Sequence, residues 1–251
     1  MKLSRLLRSE DARQTLDLTL RLTQRSVSSE FKGTALGRLW SFINPLATIA
    51  IFALIFGVVF RGGVEPGRNS GINSFALWIG IGVLSWTFFS SGIMASMNAL
   101  VDNAGLLTKV YFPRQVLIYS AVLSLAVDFA FELLVLVIIA MILGGPGVLA
   151  MIPALLVVTV LVGMFAVGLG LMLSIATVYF RDLGHLWQIF NQMWMYASGV
   201  VFPLTMVNKV QNDLFDKGWQ VNGGPIPLTT ILRLNPAETY LEAFRSCLYD
   251  F

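Results

Sequence analysis

The sequence predicts an all-α protein that crosses a membrane several times, and three observations carry that reading. Long apolar runs occupy residues 42–60, 75–100, 116–143, 148–180 and 186–207, separated by short turns. A hydrocarbon core about 30 Å thick needs about 20 apolar residues of helix to cross it. Charged residues make up 12% of the chain, against roughly 25% in ordinary soluble domains. Between Val116 and Phe180 the charges are Asp128 and Glu132 alone. At 251 residues the length suits a single membrane domain with little left for a soluble one.

The basic residues set the expected orientation. Lys2, Arg5, Arg8, Arg13, Arg21, Arg25, Lys32 and Arg38 all precede the first run. Cytoplasmic flanks carry an excess of Lys and Arg, so the N-terminus is expected in the cytoplasm and a nucleic-acid role for this arm is not. That orientation also puts Lys109, Arg114 and Arg181 inside. The first apolar run starts only near residue 42 and lacks a small-residue cleavage pattern, which argues against a cleaved signal peptide. The single cysteine, Cys247, allows no intramolecular disulfide and reads as an incidental thiol.

Residues 12–38 are too polar to span. Leu16, Leu20, Val27 and Phe31 follow a helical period with Thr23 between them, yet Leu16, Leu18, Leu20 and Leu22 also alternate as in a strand. An amphipathic helix in the interface is preferred, because a lone strand there leaves its edges unpaired. Trp40 suits the headgroup belt, and Pro45 is expected in the first turn of the first span. The second span carries Ser91, Ala95 and Ala99, with Gly92 and Ser96 beside them, a spacing that lets helix backbones approach closely.

In the third span Ser120, Ser124, Asp128 and Glu132 recur every four residues. Acids at mid-membrane are expensive and face protein or water, so these line a conduit or pair with a neighbouring helix. The run 148–180 exceeds one perpendicular span, and Pro153 is expected to divide a short outer piece from a proper helix. Residues 208–251 are polar and hold two weakly apolar pieces too short to cross. Those suit re-entrant or interfacial helices. Five spans starting inside end outside, so a sixth helix and a basic tail are expected beyond Phe251.

Three segments suggest a family. They are Phe31-Lys32-Gly33-Thr34-Ala35-Leu36-Gly37-Arg38-Leu39-Trp40, closing at Asn44-Pro45; residues 103–114, which hold Asn103, Leu106, Leu107, Lys109, Val110, Phe112, Pro113 and Arg114; and Tyr179-Phe180-Arg181-Asp182-Leu183, followed later by Asn235-Pro236 and Arg245. In this order and placement they resemble the permease subunit of bacterial ABC exporters of lipid-linked polysaccharides, the O-antigen, teichoic-acid and capsule type. The resemblance implies a homodimer in the bacterial inner membrane, driven by two separate ATPase subunits that hold ATP and Mg2+. It makes residues 103–114 the helix that docks on the ATPase. Phe31, Lys32, Gly37, Trp40, Arg181 and Asp182 would form the interfacial helix and cytoplasmic gate, although Arg181-Asp182 also reads as a helix cap with a snorkelling Arg.

The residue chemistry agrees with a driven partner. No G-x-x-x-x-G-K-[ST] occurs, so no phosphate-cradling loop can be assigned, and neither a catalytic nor a metal set is expected in this chain. Aromatic residues reach 12%, and Trp86, Phe88, Phe89, Trp187, Trp194 and Tyr196 are candidates for a sugar-stacking conduit along with Asp128 and Glu132. The bland alternative is the aromatic belt of any bilayer interface. A rival function is an ion- or proton-coupled carrier or channel using Asp128 and Glu132, which would show inverted repeats that are not seen here. A membrane enzyme would need a cluster of His, Asp or Glu at one face, and one histidine with scattered acids does not supply it.

Overall fold

The computed structural model describes residues 2–30, 32–55, 64–109, 111–180, 182–221 and 224–251. Helix α1 spans Lys2–Glu30. No glycine or proline interrupts those residues, and the helix stops just before Gly33 and Gly37, both at positive φ (88° and 50°). The strand alternative therefore loses to a helix, one that ends eight residues before Arg38. A 3₁₀ turn, Gly37–Leu39, leads into α2, Trp40–Phe52, and a wider turn carries the chain to Ile55. Pro45 lies in the second turn of α2 rather than the first, which leaves the carbonyl of Ser41 without its usual amide partner. Residues 56–60 of the expected first span lie outside the described residues.

Helices α3 (Phe75–Asp102), α4 (Ala104–Leu107) and α5 (Gln115–Gly144) follow. A 3₁₀ segment, Pro146–Met151, then precedes α6, Ile152–Tyr179. Pro153 sits at the second position of α6, where its missing N–H costs nothing, and the helix then runs through Gly163, Gly168 and Gly170 to Tyr179. Among the described residues, four stretches are long and apolar enough to cross a membrane: Gly37–Ile55, Phe75–Asp102, Gln115–Gly144 and Pro146–Tyr179.

The expected fifth span, 186–207, takes another form. Its helix, α7, covers Leu183–Tyr196, 14 residues, or about 21 Å at 1.5 Å per residue. The chain then leaves the helix at Ala197, passes Gly199 at φ +63° and restarts after Pro203. Helices α8 (Leu204–Asp216), α9 (Leu228–Arg233) and α10 (Pro236–Leu248) are all too short to cross. Between α8 and α9 the two-residue strands β1 (Gln220–Val221) and β2 (Gly224–Pro225) pair antiparallel.

The chain divides into two compact units. The first comprises Met1–Ile43, Phe88–Glu132 and Thr159–Gln188. Its core gathers around Ala99, Leu117 and Ile118, with Leu22, Val167 and Leu171 packed against them. Phe88 stacks on Phe129 at 4.4 Å, so α5 runs antiparallel to α3 here. Glycine sets the spacing of α3 and α6. A Cβ on Gly92 would lie 3.1 Å from that of Ala166, and one on Gly170 would overlap Ser96. The small-residue stripe of α3 is thus a packing seam, and its pairs Gly92–Ala166 and Ser96–Gly170 make α3 and α6 parallel. Those directions suit a chain that reverses at each successive crossing.

The second half of α1 follows α5 in this unit. Thr23 Oγ1 donates to the carbonyl of Ser120 at 3.5 Å, and Glu30 comes close to Asp128. Thr19 and Thr23 are buried in that half of the helix, whereas Leu16 and Leu20 are exposed.

The second unit comprises Asn44–Thr87, Leu133–Val158 and Ile189–Phe251. Leu77, Ile79 and Ile81 of α3 are wholly enclosed here, and Gly80 gives room to Ile49 of α2. The segment before α3 clasps the end of the chain. The backbone N–H of Asn69 donates to Asp250 Oδ1 at 2.9 Å, Ser70 Oγ donates to the Tyr249 carbonyl, and Tyr249 Oη donates to the Glu65 carbonyl at 3.2 Å.

Candidate functional site

The loop 103–114 is built as an anchored platform. Asn103 Nδ2 donates to the carbonyl of Ala99 at 2.9 Å, extending α3 by a side-chain bond. The Asn103 carbonyl accepts from the amides of Leu106 and Leu107, which starts α4. Leu106, Leu107 and Phe112 are half-buried against Ala99, Leu117 and Ile118. The apolar knobs expected on the outside of this loop therefore face their own bundle and hold the platform in place. The outward surface is made of Lys109, Tyr111, Pro113 and Arg114, with Tyr111 fully exposed. Val110 lies outside the described residues. Sequence reasoning passed over Tyr111, because its neighbours Val110 and Phe112 looked like the apolar contact residues.

Grooves flank the platform on both sides. One of about 620 Å³ is lined by Val101, Ala104, Leu107, Arg114, Thr177 and Gly184. The other, about 260 Å³, lies between α1 and the loop and is edged by Arg25, Ser29, Asn103 and Ser120.

The mid-span carboxylates are half-buried. Asp128 lies close to Glu30 at the end of α1 and to Arg38, and Glu132 sits near Asp128. Of the two options the sequence left open, this arrangement supplies a polar partner from within the chain. No sequence pattern pointed to Glu30, which stands almost 100 residues away. Phe42 and Phe131 pack edge to face beside this cluster, 5.5 Å apart. Among the expected gate residues, Lys32 is exposed, Gly37 supplies its positive φ and Trp40 is 37% exposed. The Asp182 carbonyl accepts from the amides of His185 and Leu186, opening α7. Phe31 and Arg181 lie outside the described residues.

The aromatic set divides sharply. Trp86, Phe88, Phe89 and Trp187 are buried within the chain. Phe89 stacks with Phe165, and Trp86 meets Trp194 edge to face at 6.1 Å. Ring-on-ring packing takes the faces that a sugar would need. Trp194 is half-buried, and Tyr196 is the exposed member of the set.

The second unit holds the densest polar site. Where α7 stops, the carbonyls of residues 197–200 lose their helical partners, and α10 provides others. Asn235 Nδ2 donates to the Ala197 carbonyl at 3.0 Å and to Ser198 Oγ at 2.9 Å. Its Oδ1 accepts from Trp194 Nε1 and from the amide of Ala237, so it also caps α10. Arg245 Nη2 donates to the carbonyls of Gly199 and Val200, at 3.1 and 2.9 Å. Asn235 and Arg245 thus satisfy the irregular backbone of residues 197–200. Gly82 of α3 makes the room, since a Cβ there would lie 2.7 Å from Arg245 Nη2.

Arg245 is 4% exposed. Its guanidinium carbon sits 3.6 Å from the Trp78 ring centroid, and Nη1 donates to Glu242 at 3.0 Å. Burial pulls the guanidinium below its usual range, and Glu242 pushes the other way. Nearby Glu238 is buried with Oε1 lacking a partner, and burial, reinforced by Glu242, raises its carboxyl above the usual range. Cys247 is also buried on this helix. Among the described residues no group of three or more His, Cys, Asp or Glu is placed to hold a metal ion.

Comparisons with known proteins converge on one description. An O-antigen export system permease protein RfbA of Myxococcus xanthus is 28% identical over 234 residues, covering 93% of this chain and 80% of that protein. Two Klebsiella pneumoniae proteins of the same name are 24% identical over 191 residues, covering 76% of this chain and 71% of each relative. The ABC-2 type transporter family model matches residues 17–212, from within α1 to within α8. That match includes the four long apolar helices and the platform between α3 and α5. This multi-pass membrane chain belongs to the ABC-2 type transporter family.

Proposed function

We propose that the chain is the membrane permease subunit of an ATP-driven exporter that moves a lipid-linked polysaccharide out of the cytoplasm. The observation that carries this reading is similarity over 93% of the chain to an O-antigen export system permease. A second copy completes the conduit, and two ATPase subunits bind ATP and Mg2+ and drive it. The chain sits in the inner membrane with its N-terminus and the 103–114 platform on the cytoplasmic side, α1 along the interface, and α7 to α10 forming a fifth crossing and re-entrant helices at the outer side. The excess of Lys and Arg before α2 supports that orientation.

The platform is the proposed docking surface for the ATPase. An exposed aromatic flanked by Lys109 and Arg114 is the composition of an interface hot spot with a charged rim. Ion-coupled transport through Asp128 and Glu132 has less support, because the similarity that covers 93% of the chain is to an export permease. Tyr111→Asp tests the docking role. With the partner ATPase co-expressed, the variant is expected to insert and keep its melting temperature while co-purification and surface glycan are lost. Retention of both would remove the platform from the interface. Leu106→Asp and Phe112→Asp are poorer probes, because they also break the loop's anchorage.

A further inference from the structure

The pocket beside Arg245 is separate from the platform and from the mid-span carboxylates. It has a volume of about 260 Å³, within the second unit, between the segment before α3, the start of α8 and the last turns of α10. Its lining mixes charges of both signs and a hydroxyl: Glu65, Arg68, Thr205, Glu242, Arg245 and Asp250. Trp78 forms its floor. Of the Arg245 donors, Nη1 and Nη2 are used, whereas Nε is buried without a partner.

The lining narrows the ligand class. Three carboxylates repel an anion, and two guanidinium groups repel a cation. An apolar ligand would strip water from all of them without replacing its hydrogen bonds. A neutral hydroxyl both donates and accepts, so it can meet carboxylate, guanidinium and threonine together. Trp78 already carries the Arg245 guanidinium on its ring, so recognition here is by hydrogen bonds rather than by stacking. The volume admits a single sugar residue, not a length of chain. We infer that this pocket is a subsite for one neutral sugar residue of the exported glycan, held by its hydroxyls. That inference rests on the exporter reading and specifies where a sugar is met.

The test uses the full chain in nanodiscs. Methyl glycosides of mannose, glucose, galactose, rhamnose and N-acetylglucosamine are each followed by saturation-transfer NMR, and inorganic phosphate by ³¹P line broadening. At least one glycoside is expected to bind, and phosphate is not. Thr205→Trp, which fills the pocket, should abolish that binding. Thr205→Val, which keeps the shape and loses the hydroxyl, should weaken it about fivefold, the equivalent of one hydrogen bond. If Thr205→Trp does not fold, the Val variant is read alone. No glycoside binding to folded wild type, binding unchanged in the variants, or binding of phosphate instead would overturn the subsite. Surface glycan in cells lacking the gene is measured in parallel. Glycan lost with the gene but no sugar binding sinks the pocket alone, whereas glycan unaffected by the deletion sinks the exporter reading beneath it.

Discussion

The two units are held together by different physics. In the first, helices run unbroken and their backbones satisfy themselves, so cohesion comes from close approach: Gly92 against Ala166, Ser96 against Gly170, Phe88 on Phe129. In the second, the chain breaks helix at residues 197–200, and polar side chains from α10 must replace the lost bonds. Without a hydrophobic drive between helices in lipid, packing of small residues suffices for the former. A break in lipid demands named donors. The contrast predicts that the first unit fails by volume and the second by chemistry.

The largest effect is expected from Arg245→Met. It leaves the buried carbonyls of Gly199 and Val200 without donors and should cost about 3–5 kcal/mol, read as a drop in melting temperature in detergent. An Arg245→Met protein melting like wild type would show that the break needs no clamp. Next comes Gly170→Leu, an overpacking change at the α3–α6 seam, at about 1–3 kcal/mol. Gly168→Leu is its control, because a Cβ at Gly168 meets nothing within 4 Å. Equal losses in both would mean that the seam is not tight.

The smallest effect is pH-dependent. Burial raises the Glu238 carboxyl above its ordinary range, so between the two values the unfolded chain ionises while the folded chain keeps its proton. Stability falls as pH rises through that window and stays lower above it. Glu238→Gln removes this penalty, so its melting temperature should match wild type in acid and exceed it at neutral pH. A constant difference across that range would mean that Glu238 ionises alike in both states.

Much of this was legible in the sequence, and the misses share a cause. The helices of the four long apolar stretches announced themselves by length, and Pro153 marked a boundary through local geometry alone. The break after Tyr196 did not, because Ala197 to Phe202 is as apolar as the helix before it. Its partners, Asn235 and Arg245, lie about 40 residues further on, beyond the reach of any hydropathy window. Asn235-Pro236 and Arg245 were noticed as a pattern, but their task appears only when the carbonyls they meet are in view. The contacts of the aromatics were hidden in the same way. Composition cannot say that Phe88 spends its face on Phe129. For the platform the position was readable but its outward face was not, since Leu106, Leu107 and Phe112 are equally suited to anchor a loop or to dock a partner.

The clamp at the α7 break also has a timetable. Arg245 follows Gly199 by 46 residues, and a ribosome adding roughly 5–20 residues per second needs about 2–9 s to supply them. For that interval the break is in place and its donors are not yet made. A chain stalled or truncated in those residues would present bare carbonyls to the bilayer, a mark that membrane quality-control proteases can read. The second unit therefore matures late. Slow synthesis between Val200 and Arg245 should lower yield more than equal delay anywhere in α3.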